Sequence, residues 1–188
     1  MGGIVLTNSP NLYQHLFDER FYAGSVLDPH SAWLLRRSLQ TLAIRVEKQI
    51  RSTREIVAWM GFQPEVGRVY FSKGDGLQLQ QYGGIFFFEF EKGYENLYEP
   101  FTKLLKLFST GTGMACVTSM IAQPWSGSHA SLSDEEKTSM GITKNLVRIC
   151  VGLEDPEDLK QDLRNAFDQL PKPEKEPLPP VTLHLVDS

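Results

Sequence analysis

The stretch Leu146-Val147-Arg148-Ile149-Cys150-Val151-Gly152-Leu153-Glu154-Asp155-Pro156 sets one arginine in the middle of an apolar, strand-like run. A turn follows, then a helix with strong start signals. Asp155 stands as N-cap, Pro156 as first helical residue, and Glu157 and Asp158 bring acid to the first turn, where the partial positive charge of the helix end favours it. Leu159, Leu163, Phe167 and Leu170 recur as a buried stripe. A guanidinium in a half-buried strand is costly to desolvate unless an anion meets it. Arg148 therefore needs an internal carboxylate or an external one, and the residues leave both open.

Upstream, Ser9-Pro10 is an N-cap and first-turn proline, and opens a short helix through Leu12, His15 and Leu16. Asp28-Pro29 repeats the signature. Leu35, Leu39, Leu42, Val46 and Ile50 then form one stripe at helical spacing, predicting a single long helix to Met60, ended at Gly61. Arg36, Arg37, Arg45, Glu47, Lys48 and Arg51 lie on its other face, as a solvated or subunit-facing surface. Val66–Phe71 and Gly84–Phe90 read as strands, with a polar loop from Ser72 to Gln81 between them. Leu97, Phe101, Leu104 and Phe108 predict a helix, Ser109–Gly113 a glycine-rich loop, and Val117–Ala122 a strand closed by Pro124. Ser133 with Glu136 forms a capping box for a short helix that stops at Gly141. Pro171 to Pro180 is rich in proline, lysine and glutamate and reads as a tail. Short strands separated by helices predict an α+β domain: a small, mainly antiparallel sheet with helices on one face, preceded by a long helix.

The chain has 188 residues, 41% hydrophobic and 22% charged, with a net charge of −4. That is enough for one real core, and gives no reason to expect nucleic acid or an anionic membrane as partner. No apolar run approaches a membrane span. Met1-Gly2-Gly3-Ile4-Val5-Leu6 lacks the features of a signal peptide or a myristoylation site. Cys116 and Cys150, each among apolar neighbours, read as reduced core thiols of a cytoplasmic protein. His15, His30, His129 and His184 have no metal-ligand spacing.

Two further motifs carry possible chemistry. Ser109-Thr110-Gly111-Thr112-Gly113 has the composition of a backbone anion cradle or of a plain tight turn. It lacks the endings of a nucleotide-binding loop. Ser128-His129 has the residue types of a nucleophile and its base. Adjacent residues rarely face each other, so an ordinary polar pair is the expectation.

The run around Arg148 resembles the C-terminal signature of the Cys/Met-metabolism enzymes that depend on pyridoxal phosphate (PLP): cystathionine γ-synthases, cystathionine β- and γ-lyases and methionine γ-lyases. Three more blocks agree in order. Asp28–Leu42 is similar to that family's long interdomain helix, Gly83–Phe90 to its first C-terminal-domain strands, and Pro124 through Ser128-His129-Ala130 to the block after its substrate loop. The resemblance implies a remnant of the PLP-binding domain over 1–27, the interdomain helix over 28–60, a substrate-carboxylate domain over 61–170 and a tail over 171–188. It implies that the lysine carrying the cofactor, the phosphate-binding loop and the aspartate facing the pyridine nitrogen precede residue 1, leaving no catalytic, cofactor-binding or metal residue to assign here. It also implies substrate contacts: Arg148 as a fork on an amino acid's α-carboxylate, with Ser109, Thr110 and Gly111 lining the same pocket. The family usually carries a serine about where Gly113 stands and an acidic or aromatic residue near Thr112.

The expected function is thus the C-terminal part of a PLP-dependent transsulfuration enzyme, inactive without the lysine-bearing half. Its expected substrate is an amino acid such as cysteine, cystathionine or a homoserine ester. The expected assembly is a homo-oligomer or a complex with a full-length homologue. A non-catalytic pseudoenzyme or assembly partner is the alternative.

Overall fold

The computed structural model describes residues 2–72, 77, 81, 83–94 and 96–172. Most of the expected loop between Ser72 and Gln81, and nearly all of the expected tail, lie outside the described residues. The chain forms two compact units, Met1–Arg45 and Val46–Ser188. The division falls at Arg45, within the stretch expected as the long interdomain helix.

The first unit holds α1 (Pro10–Tyr22), α2 (Pro29–Leu39) and the first turn of α3 (Leu42–Met60). Ser9 caps α1 by accepting from Leu12 N–H, and Asp28 caps α2 by accepting from Ser31 N–H at 2.9 Å. The predicted single helix is two helices. It breaks at Gln40-Thr41 because side chains compete for the backbone there. Gln40 N–H donates only three residues back, to Arg37 at 3.3 Å. The Ser38 carbonyl is taken by the Thr41 hydroxyl at 3.5 Å and by Arg45 Nη1 at 2.9 Å. The predicted stripe is also exposed over its first half: Leu35, Leu39 and Leu42 keep 49%, 55% and 42% of their surface. No described residue before Val46 is buried.

The second unit contains the core. β1 (Val66–Tyr70), β2 (Ile85–Phe90), β3 (Ser109–Thr110), β4 (Met120–Ala122) and β5 (Leu146–Cys150) form one sheet in the order β1-β2-β5-β4-β3. All pairs are antiparallel except β3 with β4. The end of α3, α4 (Tyr98–Leu104) and α6 (Pro156–Asp168) supply Ile56, Met60, Phe101, Leu159, Leu163 and Phe167 to a core they share with Phe86, Phe88, Ile121, Val147 and Ile149. Phe101 stacks on Phe167 with ring centres 4.7 Å apart. The expected α+β architecture is therefore present. α5 (Asp134–Ser139) has the full capping box, Ser133 with Glu136, and Gly141 ends its turn at φ +74°, where an L-residue is strained.

Two elements depart from the periodicity. The helix expected through Phe108 stops at Leu104, although Phe108 is buried. The cause lies in α6: the buried Asp162 carboxylate accepts from the N–H groups of Lys106 and Leu107 at 3.0 and 2.8 Å, turning the chain out of the helix. The loop expected from Ser109 begins instead as strand β3. No helix among the described residues is long and apolar enough to cross a membrane.

Candidate functional site

Side chains alternate across a strand. On β5, Val147 and Ile149 enter the core and are fully buried, so Leu146, Arg148 and Cys150 take the opposite face. Arg148 pairs with Phe87 of β2 and Ala122 of β4. It therefore sits on the middle strand, on the side that the core helices do not cover. A cleft of about 530 Å³ opens there, lined by Tyr70, Phe87, Pro124, Ser128, His129, Ile142, Leu146 and Arg148 among others.

The guanidinium has few partners. Its Nη2 donates to the Gly113 carbonyl at a long 3.4 Å, and its Nε is buried with no hydrogen-bond partner. Among the described residues no carboxylate is within ion-pair distance of it. Glu89, on the same face, accepts instead from the Tyr70 and Thr143 hydroxyls at 2.8 Å each. Arg164 shows what full internal pairing looks like in this protein. It forks onto the buried Glu65 at 2.6 and 3.1 Å and reaches Gln63 at 2.6 Å, and its pKa is raised by Glu65 first and then by Asp168. A buried N–H left unpaired costs about 1–3 kcal/mol, so the Arg148 Nε is a donor without its acceptor.

The neighbouring loop is held by a clamp. The Glu154 carboxylate accepts from the Ser119 N–H at 2.8 Å and its hydroxyl at 2.9 Å, and that hydroxyl accepts from Gly152 N–H at 2.9 Å. A Cβ on Gly152 would lie 2.4 Å from the Glu154 carboxylate, 2.5 Å from the Val117 carbonyl and 2.6 Å from Ser119 N. Only glycine fits. The buried Gln49 side chain adds a bond to the Cys116 carbonyl at 2.8 Å. Ala115, just before Cys116, is held at φ +55°, a conformation unfavourable for a residue with a Cβ.

The expected site residues are only partly brought together. Gly113 touches Arg148, through its carbonyl. Ser109 and Thr110 are strand β3, and the N–H groups of Ser109 and Gly111 donate to Ser119 and Ile121 at 3.0 Å each. Those two donors are thereby used by the sheet. Where a serine is usual, a Cβ on Gly113 would meet Met120 Sδ at 2.5 Å and Cys116 Sγ at 2.8 Å. Ser128 and His129 do face each other, Oγ to Nδ1 at 2.9 Å, and both line the Arg148 cleft. The turn through Pro124–Ala130 brings them round, and periodicity carries no trace of it. Among the described residues no carboxylate orients His129, so the pair lacks the third member of a nucleophilic triad. Cys150 is buried, and burial pushes its thiol pKa up, against a smaller lowering by Arg148.

A small sheet backed by helices on one face is shared with solved structures. The chain aligns with a cystathionine gamma-lyase from Micromonospora echinospora at a TM-score of 0.79 and 29% identity, over 87% of this chain and 44% of that one. It aligns with a cystathionine gamma-synthase from Xanthomonas oryzae, solved with cystathionine, at a TM-score of 0.78 and 28% identity, again over 87% and 44%. In sequence it is 34% identical to the cystathionine gamma-lyase of Bacillus subtilis over 90% of this chain and 46% of that protein. It is 33% identical to the chloroplastic cystathionine beta-lyase of Arabidopsis thaliana over 91% and 38%. Residues 1–168 match the model of the family described as Cys/Met metabolism PLP-dependent enzyme, and the chain belongs to that family. It spans less than half the length of these relatives.

Pyridoxal phosphate is the cofactor of the family. Among the described residues the cleft lining includes neither a lysine nor a carboxylate, so these offer no amine for an aldehyde and no acid for a pyridine nitrogen. These residues do not fit the cofactor. The clamp that holds them gives a direct expectation. Gly152→Ala forces backbone apart and costs about 1–3 kcal/mol, a fall of about 2–4 °C in Tm for each kcal/mol. Thermal unfolding checks this, and an unchanged Tm would contradict the clamp.

Proposed function

We propose that this chain is the substrate-carboxylate part of a PLP-dependent enzyme of cysteine and methionine metabolism that makes or breaks C–S bonds. In this reading Arg148 receives the α-carboxylate of an amino acid such as cysteine, cystathionine or a homoserine ester. The single observation that carries the proposal is the buried, unpartnered Nε of Arg148, opening on a mostly apolar cleft and met by no carboxylate among the described residues. A guanidinium fork matches a carboxylate in shape as well as charge, and so orients the ligand. In this reading Ser109, Thr110 and Gly111 belong to the same substrate pocket, although none of them lines the Arg148 cleft itself. The names of the relatives, cystathionine lyases and a synthase solved with cystathionine, support the substrate class. Without a lysine to carry PLP the chain alone is inactive in this reading. Two free cysteines support a reducing, cytoplasmic setting.

Titration of the purified chain with cystathionine or cysteine, followed by calorimetry or NMR, tests the carboxylate site. Saturable binding is expected. Arg148→Met keeps the stem and loses the fork, which should weaken binding about 10- to 100-fold, as expected for a hydrogen bond to a charged group of about 1.5–3 kcal/mol. Equal binding by the variant, or no binding by the parent chain, would overturn the assignment.

The exposed apolar residues of the first unit favour a second aspect of the same reading, assembly with another copy or with a full-length homologue. Trp33 keeps 57% of its surface, Leu39 55% and Ile44 70%, more apolar exposure than an isolated monomer usually tolerates. Light scattering after size exclusion should give a mass above the monomer. Leu35→Lys with Leu39→Lys should lower it, and a strictly monomeric parent chain would count against assembly.

A further inference from the structure

Two sulfur atoms crowd one point beside Arg148 and a third, that of Cys150, lies across one ladder rung, and nothing in the carboxylate reading uses them. Met120 Sδ and Cys116 Sγ lie 2.5 and 2.8 Å from the same point, the Cβ position that Gly113 leaves empty. Cys150 stands directly opposite Met120 in the β4–β5 ladder. Opposite residues share a face with Cβ atoms about 4.5–5.5 Å apart, a gap that an unbranched, flexible thioether spans. The third donor is thus contiguous with the other two. The cluster is anchored as well: Gln49 fixes the Cys116 carbonyl at 2.8 Å, and the ladder fixes Met120 and Cys150. Cys150 is 2% exposed and Cys116 is part-exposed, so solvent reaches the set from the Cys116 side.

Donor chemistry selects the occupant. Among the described residues no three His, Cys, Asp or Glu side chains come together as a metal site. This cluster reaches three donors only by counting a thioether, which magnesium and calcium shun and which zinc sites rarely employ, whereas thiolate and thioether donors together suit copper(I). We propose that Cys116, Met120 and Cys150 form a three-coordinate site for a soft monovalent metal ion of the copper(I) class. Binding replaces the two thiol protons, which pass to solvent, and forms two metal–thiolate bonds and one metal–thioether bond with no change of oxidation state. Two thiolates and one monovalent ion carry a net charge of −1, and the Arg148 guanidinium, which acts electrostatically on Cys150, balances it. The proposal stands independently of the carboxylate reading, since it needs only the positive charge of Arg148.

The test is an anaerobic competition of the purified chain with a chromophoric copper(I) chelator. One equivalent of copper(I) should leave the chelator, and a sulfur-to-copper ultraviolet band should appear. Cys116→Ser should abolish the band. Met120→Leu, which conserves volume and so keeps the fold, should weaken binding by at least about tenfold. Circular dichroism reports that each variant is folded. Zinc(II) at equal concentration should not displace the copper. Copper retained by the chelator would overturn the proposal. So would copper held equally well by Cys116→Ser or Met120→Leu, which would locate it elsewhere on the chain.

Discussion

Strand alternation on β5 decides both what is core and what is site. The strand is the middle one of five, and its period of two sends Val147 and Ile149 towards the helices and Arg148 away from them. A register slip of one residue would put a guanidinium among Phe88, Phe101 and Phe167 and expose two aliphatic side chains. The flanking pairs, Ile149 with Phe86 and with Ile121, make that slip prohibitive, because each is a buried apolar contact. The hydrophobic half of the strand thus positions its single charge.

Burial alone would make that charge a liability. Arg164 carries the same guanidinium and is satisfied by Glu65, Gln63 and Asp168, so it acts as a strut between α6 and the turn before β1. Arg148 donates one long bond to a carbonyl, while the carboxylates Glu89 and Glu154 are committed to hydroxyls and a backbone N–H. Those commitments keep the cleft free of an internal counter-ion. The Glu154–Ser119–Gly152 clamp then holds the adjoining loop against β5, at the expense of requiring a glycine. Structure and chemistry are coupled here: the same turn that ends β5 limits where the loop over Arg148 can lie.

The elements with strong local signals were legible in the sequence. The Asp155-Pro156 start of α6, the Ser133/Glu136 capping box and the stripe Leu159, Leu163, Phe167 and Leu170 all read correctly, since each rests on contacts within a few residues. Arg148 was legible as a lone charge in an apolar strand, because its neighbours in sequence are its neighbours in the strand. What failed was set by distant or competing partners. Asp162 ends α4 from more than fifty residues away, and Arg45 interrupts the long helix by taking a carbonyl seven residues back. The Leu35, Leu39 and Leu42 stripe has helical spacing, yet spacing does not reveal whether anything packs on it. The meeting of Ser128 and His129 with Arg148 depends on a turn that periodicity does not encode. The sulfurs that crowd Gly113 come from strand β4 and a loop, and only the fold brings them together.

The account stands on the claim that the bare edge of Arg148 is a receptor for a carboxylate. Nitrogen NMR of arginine side chains observes that edge directly, with Arg148→Lys assigning the signal. On addition of cystathionine the Arg148 Nε–H resonance should move downfield and exchange more slowly with water, while that of Arg164, already bonded to Asp168 at 3.1 Å, stays fixed. An Arg148 Nε–H signal that does not respond, or that is already protected and shifted without any added ligand, would contradict the claim.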